Sequence, residues 1–174
     1  CSNVSDPRSL TLTINTAGGG TRAQQYDYPS RTDCLRCHTS VAGFALGLAT
    51  RQLNRDFDYG QVSDNQLRTL NHIQYFENDI GSVSQYGRYP ALDAANSSIA
   101  NRARAYLAVN CAQCHRPQGP TPVDLDLRYD TLDAAMNAID VVPSQGDLGI
   151  AGARIIAHGS KETSVLWQRI RNLD

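Results

Sequence analysis

Polar and apolar residues alternate from Ser9 to Ile14, the period of a half-buried strand, and Gly18-Gly19-Gly20 ends the run. Between Gln24 and Thr32 stand two tyrosines and Pro29, after which Thr32 or Asp33 offers a cap for a helix opening at Cys34-Leu35-Arg36-Cys37-His38. Leu67, Leu70, Ile73 and Phe76 fall three apart and predict an amphipathic helix within Ser63 to Asp79, with His72 one position off the stripe. The Gly- and Ser-bearing stretch from Gly81 to Pro90 reads as a linker, with a boundary between Pro90 and Asn96.

Ser97-Ser98 followed by Ile99, Ala103, Tyr106 and Leu107 predicts a second helix, running into Cys111-Ala112-Gln113-Cys114-His115 until Pro117, Pro120 and Pro122 stop it. Asp124 and Asp126 alternate with Leu125 and Leu127, the pattern of a short exposed-buried strand rather than a paired carboxylate site. Further helices are expected over Thr131 to Asp140 and Ser160 to Arg171, the latter with Val165, Leu166, Trp167 and Ile170 as its apolar side. The fold expected is mainly α. An extended or β segment over 1–33 precedes two helical modules, 34–95 and 96–174. The second Cys-His motif follows the first by 77 residues, but outside the motifs too little identity remains to define an internal repeat.

Composition sharpens this picture. The 174 residues suit one domain or two small ones, and only 7% are aromatic, so the interior is poor in large side chains and a bound planar group would help to fill it. A formal charge of −1 argues against a nucleic-acid binder and leaves any docking patch local. No apolar run is long enough to cross a membrane as a helix, and no basic leader precedes the first residue. Of five cysteines, four form the two pairs and Cys1 is left over. Cys1-Ser2-Asn3 is what lipoprotein signal cleavage leaves, and acyl chains on that thiol would tether the protein to a bilayer; the alternative is that Cys1 is simply the first residue given.

The two CxxCH motifs carry the chemistry. Cysteines at i and i+3 on a helical turn face the same way, so both thiols can form thioethers to the vinyl groups on one porphyrin edge while the following His ligates the iron. For this composition one such motif arises by chance in about three chains per thousand, so two make c-type haem the leading reading. Cys34, Cys37, Cys111 and Cys114 are then the attachment points of two covalent haems, with His38 and His115 as proximal ligands. Zinc held by the two cysteine pairs is the competing reading, but zinc has no need of a His after each pair, and the gap from Cys37 to Cys111 is long for a ribbon. Two structural disulfides are the other, although x-x-spaced cysteines more often serve redox or ligand roles.

Outside the motifs there remain His72, His158 and Met136 as distal ligands. His72 is the candidate for the first iron, against an open or nonprotein sixth site. For the second, His158 leads over Met136, which also suits a core filler, and over a residue beyond Asp174. Arg102, Arg104 and Arg116 flank the second motif and are candidates to pair with haem propionates or to form a solvated face. No residue stands out as a catalytic acid or base.

Tyr28-Pro29-Ser30-Arg31-Thr32-Asp33-Cys34-Leu35-Arg36-Cys37-His38, Arg102-Ala103-Arg104-Ala105-Tyr106-Leu107 and Asn110-Cys111-Ala112-Gln113-Cys114-His115-Arg116-Pro117, with Gly146-Asp147-Leu148-Gly149-Ile150, resemble a family of bacterial dihaem c-type cytochrome domains found in exported proteins. The resemblance spans roughly residues 26 to 171. It implies two cytochrome c-like helical haem modules, single-electron transfer in the periplasm or at the cell surface, and redox protein partners that it does not identify. Such domains usually have Pro where this chain has His158 and continue past the last helix into a Met-Pro segment. The rival functions are a dehydrogenase- or peroxidase-like haem enzyme or subunit with an open distal site, and a haem-bearing structural subunit of a surface or respiratory assembly.

Overall fold

The structure is a computed structural model and describes residues 8–172. Cys1, with its expected lipid, lies outside the described residues. The alternating N-terminal run pairs as an antiparallel hairpin, β1 (Arg8–Asn15) with β2 (Thr21–Tyr28), in a register that sets Arg8 against Tyr28 and Asn15 against Thr21. Gly19, at a φ of +80°, lets the turn close through Gly19 N–H to the Thr16 carbonyl. The hairpin is largely exposed.

Four short helices and a small sheet follow. They are α1 (Arg31–Leu35), α2 (Thr50–Leu53), the pair β3 (Asp56–Asp58) and β4 (Ser63–Asn65), α3 (Gln66–His72) and α4 (Ile99–Asn110). Near the end of the chain stands α5 (Val165–Arg171). Only 27% of residues are helical and 16% are strand, so the expectation of a mainly α fold is overturned: the chain is a mixed α/β structure with two small antiparallel sheets.

The helical periods are real but shorter than expected, for local reasons. Ser63 to Asn65 are spent on β4, and α3 ends where Gln74 takes a φ of +57° and the Asn71 side chain turns to Asp79 and the Ile80 N–H. Thr131 to Asp140 holds only a single 3₁₀ turn, Asp133–Ala135, because Asn137 and Asp140 adopt positive φ. The last helix begins at Val165 rather than Ser160, since the Ser164 hydroxyl is engaged with Ala157 N–H and the Ser160 carbonyl. No strand forms over 124–127: Leu125, Asp126 and Leu127 are all buried, and only Asp124 faces out.

Burial is lopsided. Among the described residues Leu67 is the single buried hydrophobic before Ala105, whereas Leu107, Ala112, Leu125, Leu127, Met136 and Ala138 form one cluster in the second half. In the first half Phe44, Leu48, Ile73 and Tyr75 are each more than half exposed. The halves are nonetheless joined. Arg51 Nη2 donates to both carboxylate oxygens of Asp130 (3.0 and 2.9 Å), and the guanidinium stacks over the Tyr129 ring, which also meets Tyr89 edge to face. The stretch expected to be a linker is tied back as well, through Asn54 Nδ2 to the Tyr86 carbonyl and Tyr89 N–H to the Arg51 carbonyl.

Candidate functional site

Both Cys-His motifs fold by the same local rule. In each, the second Cys and the His donate their backbone N–H groups to the carbonyl of the first Cys: Cys37 and His38 to Cys34 at 3.2 and 3.0 Å, Cys114 and His115 to Cys111 at 3.1 and 2.9 Å. A single helical turn therefore presents both thiols of a motif with the imidazole following.

The two turns are entered differently. The first is launched by Ser30, the observed cap in place of Thr32 or Asp33. Its hydroxyl accepts from Asp33 N–H while the Asp33 carboxylate accepts from Ser30 N–H, closing a reciprocal box that also lowers the Asp33 pKa. The second continues from α4, capped by Ser98, and Cys111 N–H still bonds the Leu107 carbonyl.

His38 is exposed, and its Nδ1 lies 2.5 Å from the Phe44 carbonyl oxygen. A carbonyl can only accept, so Nδ1 carries the proton and Nε2 keeps its lone pair free for a metal. His115 is half-buried, its Nδ1 is enclosed without a partner, and burial lowers its pKa, so the ring is neutral near pH 7. The His115 carbonyl accepts from Leu127 N–H at 3.0 Å, which fastens the motif to the buried Leu125–Leu127 segment.

Beside His115 lies a cavity of about 270 Å³ whose wall is mostly apolar. Cys111, His115, Leu125, Leu127 and Leu166 line it, and Arg169 of α5 is its one Lys or Arg. Burial raises the Cys111 thiol pKa, and that of Cys114 too, where the neighbouring Cys37 thiol adds to the effect. The Sγ atoms of Cys37 and Cys114 are 3.5 Å apart, so the motifs, 77 residues apart in sequence, meet in space. All four motif cysteines are free thiols. Among the described residues no three His, Cys, Asp or Glu side chains gather as a metal ion would need.

The expected distal residues sit elsewhere. His72 is exposed at the end of α3, and His158 is exposed with its N–H donating to Asp140. Neither lines the cavity beside His115. Met136 is fully buried in the second-half core with the Arg104 guanidinium against its sulfur.

The three arginines beside the second motif are structural. Arg102 donates to the Leu92 carbonyl, Arg104 to the carbonyls of Tyr129 and Thr131, and Arg116 to those of Ala112 and Val41. Sequence reasoning missed Arg169 and the Leu125–Leu127 wall. The Leu-x-Leu pair was the only signal for the wall, and nothing singled out Arg169.

No protein-family model, no curated protein and no solved structure matches the chain.

Proposed function

We propose that the chain is a dihaem c-type cytochrome that passes single electrons between protein partners outside the cytoplasm. The observation that carries this reading is the duplicated turn. Two CxxCH segments share one hydrogen-bond pattern, and in each the imidazole is neutral or has its Nε2 lone pair free.

The residues fit the group. Cys34 and Cys37 would hold one haem and Cys111 and Cys114 the other, with His38 and His115 as proximal ligands. The apolar wall beside His115 suits a hydrophobic ring, and Arg169 suits the carboxylates such a ring carries. When bound, the iron supplies reversible one-electron chemistry. The chain's own work is to hold the ring, shield one face with Leu125, Leu127 and Leu166, and fix the imidazoles.

Zinc is disfavoured by the donor geometry, because among the described residues the cysteine pairs meet through Cys37 and Cys114 and gather no third donor. A haem enzyme is the second reading, favoured by the wall around His115, where no His or Met other than His115 stands. Intact mass with a reduced-minus-oxidised spectrum tests the first claim. Two covalent haems per chain are expected, and a mass with none or one overturns it. Carbon monoxide then separates the readings: a reduced protein that binds none is a six-coordinate carrier, and stoichiometric binding at one iron supports the enzyme.

A further inference from the structure

The geometry points to a direct electronic contact between the two cofactors through Cys37 and Cys114, held in place by Arg116. This rests on the dihaem reading above. Of the four attachment sulfurs, the two that touch occupy the same place in each motif, the second cysteine. Their Sγ atoms are 3.5 Å apart, which is contact distance for sulfur.

In a c-type thioether the sulfur is bonded to a carbon that is itself attached to the ring. Sulfurs in contact therefore bring together the two ring edges that they anchor. Cys34 is exposed and Cys111 faces the cavity beside His115, so only the second cysteine of each motif lies at the seam.

The seam is built from side chains on both sides. Arg116, directly after the second motif's His, spans it: its Nη1 donates to the Val41 carbonyl at 2.7 Å, three residues beyond His38, while its Nε donates to Ala112 within its own motif. One guanidinium thus ties the second motif to the segment that follows the first. The Arg51–Asp130 pair and the Tyr89–Tyr129 contact hold the halves together elsewhere. Arg116 is a positioning residue: its hydrogen bonds go to the Ala112 and Val41 carbonyls, and it acts by fixing how the motifs abut. An electron crossing the seam leaves one iron oxidised by one unit and the other reduced by one, with no bond made or broken and no outside reagent.

The test is circular dichroism in the Soret region on the holoprotein, with haem stoichiometry read from intact mass in the same preparation. Coupling between the two haem transitions falls steeply with separation, so contact gives a two-signed couplet. We expect this couplet in the wild type and its loss in a variant that carries only the first haem (Cys111→Ser, Cys114→Ser, His115→Ala). In Arg116→Leu, at full haem content, we expect at least a twofold loss of amplitude, partly restored in Arg116→Lys. Two haems by mass with a single-signed Soret band in the wild type would overturn the contact while leaving the dihaem reading intact. A mass without haem would overturn that reading itself. An unchanged couplet in fully loaded Arg116→Leu would remove Arg116 from its role.

Discussion

Asp126 offers a quantitative test of how the second motif is supported. Its side chain is only 10% exposed and forms a bidentate pair with Arg128, Nε to Oδ1 at 2.9 Å and Nη2 to Oδ2 at 2.6 Å, with Arg128 N–H donating as well at 3.1 Å. Chiefly through these bonds to Arg128, the carboxyl pKa falls from 3.8 to about 2. A depression of that size is worth about 2.4 kcal/mol, and because the folded-state value lies below the unfolded one, the contribution is fully present above about pH 5 and fades as pH falls toward 2. Roughly half, about 1.3 kcal/mol, remains at pH 3. Asp126→Asn is therefore expected to lower the unfolding free energy in urea by about 2 kcal/mol at pH 7 and by about half that at pH 3. Asp126 lies between Leu125 and Leu127, and Leu127 holds the His115 carbonyl, so the variant should also loosen the cavity wall. A loss equal at both pH values, or one under about 0.5 kcal/mol at pH 7, would refute the assignment of this stability to the ionised pair.

Other substitutions probe different parts of the same construction. A Cβ at Gly119 would stand 2.9 Å from the Arg116 carbonyl oxygen and closer still to that of Cys114, so Gly119→Ala should cost about 2–3 kcal/mol in urea unfolding and reduce attachment at the second motif as read by intact mass. The Arg51–Asp130 pair has its carboxylate 73% exposed, so a double-mutant cycle to alanine should return a coupling below about 1 kcal/mol; a value above 2 would show that it is shielded from water. On the dihaem reading, His158→Ala should leave the Soret maximum of the reduced protein unchanged, because His158 stands outside the cavity wall; a shift would show that the segment around Ala157 rearranges to bring it to an iron.

What could be read from sequence was whatever is local. The strand over Ser9 to Ile14 follows from strict alternation and forms as expected, and the helix running from Ser98 into the second motif follows from its cap and apolar spacing. The two motif turns were legible because each is closed by backbone hydrogen bonds among residues within five positions of one another. Fold class was misjudged because helical spacing in residues 63–79, 131–140 and 160–171 says nothing of competing interactions. Strand pairing at Ser63, positive φ at Asn137 and Asp140, and the Ser164 hydroxyl each shorten a periodic run. The meeting of Cys37 with Cys114 was invisible for another reason. It goes with Arg116 reaching Val41, a contact between residues 75 apart that no pattern encodes. The same holds for Arg104, whose charge suggested a cofactor's carboxylates but whose donors satisfy the carbonyls of Tyr129 and Thr131.

The uneven distribution of buried hydrophobic residues sets an order for assembly. With its apolar contacts gathered in Leu107, Ala112, Leu125, Leu127, Met136 and Ala138, the second half has a nucleus of its own, whereas the first half has Leu67. Opening free energy should therefore rise along the chain, with amides of α4 exchanging slowest and those around Cys34 to His38 exchanging soonest. If the dihaem reading holds, the second motif would be offered for attachment on a preformed scaffold and the first on a pliable segment that docks afterwards, so a half-loaded chain would carry its haem at Cys111 and Cys114.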